Sequence, residues 1–204
     1  MQKKVIVFID GFNLYHAINA HRNYYKYKWL DLNKLANLYI TKNEKIVGIL
    51  YFTALATWNQ SKVKKHKLFI KANELNGIRT IYGEFKKRDK YCNLCHKKYQ
   101  TFEEKQTDVN IAIQLFKLSI ENKYDKAIII SGDSDLLPSI DAVRRTFPTK
   151  QIGVIIPIGR RAEALKQACD FYMKMKEKHL SSSRFEQRIN INQNEYLECP
   201  PEWR

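Results

Sequence analysis

The chain has no apolar run approaching the roughly 18 residues that a membrane-crossing helix requires. It also lacks the longer apolar region and small-residue cleavage site of a signal peptide, since Met1-Gln2-Lys3-Lys4 leads straight into Val5–Ile9. The expectation is a cytoplasmic protein with no membrane partner. Cysteine is scarce, four in 204 residues, and a reducing cytosol argues against pairing them as disulfides. Internal repeats are absent. Acids are the minority charge, 21 Asp and Glu against 36 Lys and Arg, for a net +15 and a pI near 9.6. That deficit points to a polyanionic partner, because lysine and arginine gain affinity by displacing counterions from phosphates. A generally lysine-rich composition is the plainer alternative. Hydrophobic residues still make up 44%, enough for a globular core.

What is present alternates short apolar runs with longer helical segments, the pattern of a parallel sheet covered by helices. Strands are predicted at Val5–Ile9, Ile46–Phe52, Arg79–Tyr82, Lys126–Ile130 and Gln151–Ile156, a mostly parallel sheet of about five. "VIVFI" and "AIII" lack alternation, as expected of central strands buried on both faces. Helices are predicted over 11–20, 31–42, 59–76, 105–122, 135–146 and 161–168. Residues 84–103, charged and tyrosine-rich, read as an inserted loop or hairpin within a domain spanning 1–179. Residues 180–204 read as an irregular C-terminal tail that Tyr196, Leu197 and Trp203 could anchor.

The few acids matter through their placement. In an open parallel sheet, ligands bind beyond the carboxyl ends of the strands, where strand order reverses. "VIVFID" ends at Asp10, and "AIIISGDSD" presents Asp133 and Asp135 in the turn after the fourth strand. Asp108 starts the helix before that strand, with Glu104 one turn earlier. Two carboxylates about 4 Å apart repel by about 1 kcal/mol in water and several times that near protein. Gathering three or four therefore raises their pKa values or holds a cation. Magnesium prefers oxygen ligands and bridges to phosphates, and manganese suits the same donors. Each acid also has a plain structural role. Asp133 or Ser134 caps the following helix, Asp108 caps its helix or offsets the dipole, and Asp10-Gly11 forms a turn. Taken jointly, the metal site is the better account.

"FIDGFNLY", "EEKQTDVNIAIQL" and "SGDSDLLPSI", in that order, resemble the NYN domain family of the LabA-like bacterial type, within the PIN-like nuclease superfamily. The resemblance covers residues 3–172, and the ending "CPPEW" is similar to tails of that group. It implies a three-layer α/β Rossmann-like PIN fold and a metal-dependent ribonuclease acting on RNA. Its catalytic and metal positions carry over to Asp10, Asp108, Asp133 and Asp135. Asn13, Ser131 and Ser134 match the accompanying polar positions, with Asn13 expected to orient a carboxylate or a metal water. The chemistry expected is attack of an activated water on a phosphodiester, leaving a 5′-phosphate and a 3′-hydroxyl. Lys105 either contacts phosphate or forms a solvated ion pair beside Glu104. A catalytically silent RNA-binding scaffold that keeps the metal site, and a protein-interaction module, are the alternatives. Other acid-using α/β families fit less well. Asp10 is followed by Gly11 and Phe12, not the Asp-x-Asp of haloacid dehalogenase phosphatases, and no G-x-G-x-x-G follows the first strand.

Around this site, Arg160 and Arg161 follow the fifth strand and Trp58 follows the second, a candidate base-stacking side chain. Lys62, Lys64, Lys65, Lys67 and Lys71 crowd the next helix but spread around it, as a solvated surface does. Cys92 and Cys95 form C-x-x-C, half of a zinc site, which His96, Cys169, Cys199, His66 or a second chain in a homo-oligomer could complete. Free thiols are the competing reading.

Overall fold

The computed structural model describes residues 2–192 and 194–204, so Gln193 of the C-terminal segment lies outside the described residues. Six parallel strands form the central sheet: β1 (Lys3–Asp10), β2 (Glu44–Thr53), β3 (Arg79–Tyr82), β6 (Lys126–Ile130), β7 (Gln151–Ile156) and β8 (Phe171–Lys174). Their spatial order is β3-β2-β1-β6-β7-β8. A hairpin of β4 (Glu84–Tyr91) and β5 (Lys98–Lys105) projects between β3 and the next helix.

The central strands are buried on both sides because successive side chains point to opposite faces. Val5, Val7 and Ile9 of β1 enter one core cluster, while Ile6 and Phe8 enter the other. On the first face pack α1 (Gly11–Asn19), α2 (Leu32–Asn37) and α3 (Gln60–Leu75), through residues such as Leu14, Leu35 and Ile70. The second face holds α4 (Thr107–Ile120), α5 (Leu137–Thr146) and α6 (Glu163–Ala168), through Ile111, Leu115, Ile140, Val143 and Leu165. The result is the expected three-layer α/β fold, with six strands instead of about five. The additional strand, β8, is a mostly exposed four-residue edge strand whose apolar run, Phe171–Met173, is only three residues long. Gly153 of β7 makes room for it: a Cβ there would fall 1.9 Å from the Phe171 ring.

Helix α2 stops at Asn37, well short of the expected residue 42, because Asn37 is followed by turns that lead into β2. The segment after residue 179 does not hang free. α7 (Glu177–Ser182) and a small antiparallel pair, β9 (Arg188–Asn190) and β10 (Tyr196–Glu198), bring Leu180, Phe185, Leu197 and Cys199 into the first core cluster. The fully buried Trp29 organises this closure, donating its indole N–H to Glu186 O at 2.8 Å and facing Trp203 at 6.5 Å. Lys65 and Lys71 of α3 pair with Glu202 and Glu195 of the same segment.

A candidate metal centre at the sheet edge

Strand order reverses between β1 and β6, which pair in parallel with Ile9 beside Ile130. Both chains then leave the sheet at the same edge, and a crevice opens where their following helices diverge to opposite faces. Asp10, the last residue of β1, is only 3% exposed. It also caps α1: the Asn13 main-chain N–H donates to its Oδ1 at 2.9 Å. Its Oδ2 accepts from the Ser131 hydroxyl at 2.8 Å. Gly11 lets α1 start directly against β2, since a Cβ there would meet Phe52 O at 2.6 Å and the Tyr51 ring at 2.7 Å. The Asp-Gly pair thus serves helix capping and close packing at once.

Ser131 is fully buried and joins two acids, because its Oγ also accepts the Asp133 main-chain N–H at 3.0 Å. Asn13 uses its side chain elsewhere: its Oδ1 accepts from Gly132 N–H at 3.0 Å, tying the start of α1 to the loop after β6. It orients the Asp10 carboxylate through its main chain. Asp133 caps the short 3-10 turn Ser134–Leu136 by accepting from Asp135 N–H at 3.0 Å. For Asp10 and Asp133, then, capping and site geometry coexist.

Asp108 is reached by a different route from the one the sequence suggests. Lys105, expected to open a helix over 105–122, and Glu104 before it are the last residues of β5. Gln106 then takes a left-handed conformation (φ 78°), and α4 begins at Thr107. Glu104 Oε1 accepts both the Thr107 main-chain N–H, at 3.0 Å, and the Thr107 hydroxyl. That anchor presents Asp108, in the first turn of α4, to the crevice without any capping duty of its own.

Asp10, Asp108 and Asp133 each offer a carboxylate oxygen within 4.8 Å of the other two. Among the described residues this is the one three-residue group of such donors. Asp135 is exposed and not part of the trio, but close enough for its charge to act on Asp108. The Asp108 carboxyl is pushed up to about 6, chiefly by burial and then by the charges of Asp10, Asp133, Glu104 and Asp135. Asp10 is also raised; burial dominates, opposed by the hydrogen bonds from Asn13 and Ser131 and reinforced by Asp133 and Glu104. Mutual repulsion and desolvation on this scale are what a cation relieves.

Of the other expected contributors, Arg160 lies beside the loop after β6, 3.4 Å from a Cβ built at Gly132. Arg161 is exposed, with its charge acting on Glu163. Lys105 pairs with Glu103, 3.4 Å away on its own strand. Trp58 is 43% exposed, but one face is covered by Phe102 (3.8 Å, 5°) and its edge region by Phe85 (4.7 Å, 84°). Phe12 of α1 joins the same cluster through Phe85. The tryptophan anchors the hairpin to the domain, leaving at most one face for a base. His16 of α1 sits four residues after Phe12, its ring 6.4 Å away, and its pKa is lowered by burial and by Arg160.

A family model described as NYN domain matches residues 4–176. The chain belongs to the NYN domain family. The family is PIN-like, and its nuclease character agrees with an acidic trio at the sheet edge. This NYN domain is 24% identical over 211 residues to the "6-hydroxy-3-succinoylpyridine 3-monooxygenase HspA" of Pseudomonas putida. That alignment covers 86% of this chain and 66% of the relative, so the chain spans slightly less than two thirds of the relative's length. Among solved structures, it is similar to a protein of unknown function from Vibrio parahaemolyticus, with a TM-score of 0.59 and 15% identity over 90% of this chain and 97% of that one. At that identity the likeness concerns the fold alone. Among the described residues, no helix is long and apolar enough to cross a membrane.

Proposed function

We propose that this NYN domain is a divalent-metal-dependent ribonuclease, in which Asp10, Asp108 and Asp133 hold the ion and Asp135 stands as an outer carboxylate. The observation that carries the reading is the convergence of three carboxylates within 4.8 Å at the point of strand reversal. The donor set fits Mg2+ or Mn2+, being all oxygen and partly buried, with Asp10 and Asp108 raised in pKa first by burial and then by the neighbouring acids. When bound, such an ion polarises a phosphoryl oxygen and makes water a stronger acid.

The chain's own residues supply position. Ser131 and the Asn13 main chain fix both oxygens of Asp10, so its carboxylate cannot swing when substrate arrives. The Asn13 side chain holds the loop that carries Asp133, and Glu104 holds the first turn of α4 that carries Asp108. Ser134 opens the 3-10 turn between the two late acids, where Asp133 accepts the Asp135 main-chain N–H. Arg160 and, farther out, Arg161 offer positive charge to the RNA backbone. The balanced reaction is hydrolysis: a water oxygen joins phosphorus, the P–O3′ bond breaks, and the 3′ oxygen takes a proton. Products are a 5′-phosphate and a 3′-hydroxyl. A cytoplasmic RNA partner, and residues 1–179 as the catalytic unit closed by 180–204, belong to the same proposal.

The test is Mn2+-dependent cleavage of single-stranded RNA by the wild type and by Asp10→Asn. Cleavage by the wild type alone supports the proposal; equal cleavage by both overturns it. Metal-dependent RNA binding with no turnover identifies the silent scaffold instead. Oxygen-dependent conversion of 6-hydroxy-3-succinoylpyridine, the substrate in the relative's name, with no RNA cleavage would replace the nuclease reading altogether.

A further inference from the structure

Cys92 and Cys95 lie in the turn between β4 and β5, at the tip of the hairpin, and take no part in the acidic site. The turn is closed by main-chain hydrogen bonds at Cys92. Cys92 N–H donates to Lys97 O at 3.0 Å, and His96 N–H donates to Cys92 O at 2.8 Å. His96 adopts a left-handed backbone (φ 55°), which reverses the chain. Two cysteines three residues apart in one tight turn are the spacing of half a zinc site.

One chain offers no more than this pair. His96 does not gather with the two cysteines into a three-ligand group among the described residues. Cys169 and Cys199 are buried in the cores on opposite faces of the sheet. His66 is turned inward toward Thr53 and Tyr51. A closed structural zinc site needs four ligands. The tip also carries apolar side chains with nothing over them: Leu94 is 94% exposed and Tyr91 66% exposed.

We infer that Cys92 and Cys95 form half of a tetrahedral zinc–thiolate site, completed by the same pair from a second copy of this chain. A twofold axis through the ion gives an isologous contact in which each tip covers the other's Leu94 and Tyr91. Four thiols release four protons as one Zn2+ binds, leaving a site of charge −2 within a hairpin rich in lysine. The assembly joins two acidic centres through their hairpins. It stands whether or not the acidic centre cleaves RNA.

The experiment uses the full chain purified without chelator, with zinc measured by elemental mass spectrometry and molar mass by light scattering. A preparation found zinc-free is titrated with zinc before scoring. The expected result is one zinc per two chains and a dimer that a zinc chelator converts to monomer. Cys95→Ser should lose both zinc and dimer, with its fold verified by circular dichroism, while Asp10→Asn should keep both. A monomer at saturating zinc, a zinc-free dimer, a Cys92–Cys95 disulfide in the purified chain, or zinc-bound dimeric Cys95→Ser would each overturn the inference.

Discussion

The acidic crevice and the hairpin tip are two candidate metal sites built on opposite principles. The crevice draws hard oxygen donors from β1, the loop after β6 and the start of α4, three separate elements that the sheet and its core hold in register. Its ligands are partly buried, cross-linked by Ser131 and Asn13, and sufficient within one chain. The tip draws soft sulfur donors from four consecutive residues on an exposed ribbon, and one chain supplies only half a site. A core can hold repelling carboxylates together because its packing resists their separation. A hairpin has no such reserve, and it can complete a coordination shell only by meeting another surface.

Substitutions at the crevice should produce the largest effects. Asp10→Asn should lower Mn2+-dependent RNA cleavage by roughly 10^3-fold, the upper end of what removing one electrostatic group costs, while leaving zinc content unchanged. If it changed zinc content instead, the two sites would not be independent. Ser131→Ala should cost about 10- to 100-fold in manganese affinity or activity, because a supporting partner of a ligand is lost. Titration calorimetry on the variant checks this, and an unchanged affinity would show that packing alone fixes Asp10.

The crowding of Asp108 should also be visible in stability. Its carboxyl titrates near 6 when folded, against an ordinary value of 3.8. Between those values the folded state holds the proton more tightly than the unfolded state, so this group's contribution falls as pH rises toward 6 and is lowest above it. Metal-free Asp108→Asn should therefore melt at a higher temperature than metal-free wild type above pH 6, with the gap closing as pH falls toward 4. Added Mn2+ should raise the wild-type melting temperature more than the variant's. Thermal melts across that range decide it, and a gap that widened on acidification would reverse the sign.

Smaller effects are expected where the hairpin meets the domain. A double-mutant cycle on Trp58 and Phe102, each changed to Ala, should give a coupling of about 1 kcal/mol from the stacked pair. Zero coupling would return Trp58 to the role of a free base-stacking residue. Smallest of all, Arg160→Ala should flatten the salt dependence of RNA affinity by about one phosphate contact, and Arg161→Ala by less. Equal slopes for both would place the RNA path farther from the loop after β6 than we propose.

Much of the crevice was legible because strand-end acids follow unbroken apolar runs: Val5–Ile9 before Asp10, and Ala127–Ile130 before Asp133. Legibility failed where helix-forming residues were held in other conformations. Glu103, Glu104, Lys105 and Gln106 have good helical propensity, yet β4 pairs with the first three and Glu84 accepts from the Gln106 side chain at 2.8 Å. Edge strand β8 was hidden for the opposite reason: its stability comes from pairing with β7 and from the pocket beside Gly153, neither of which local pattern reports.

By itself, then, the sequence determined the alternation of strands and helices, the strand-end positions of Asp10 and Asp133, and the two-cysteine turn, because periodicity and short spacing are local properties. Only the tertiary structure decided that β1 and β6 are neighbours, that Asp108 completes the trio while Asp135 stands outside it, and that Trp58 anchors the hairpin. Those outcomes depend on strand order and on contacts between residues far apart in the chain, where packing overrides local preference.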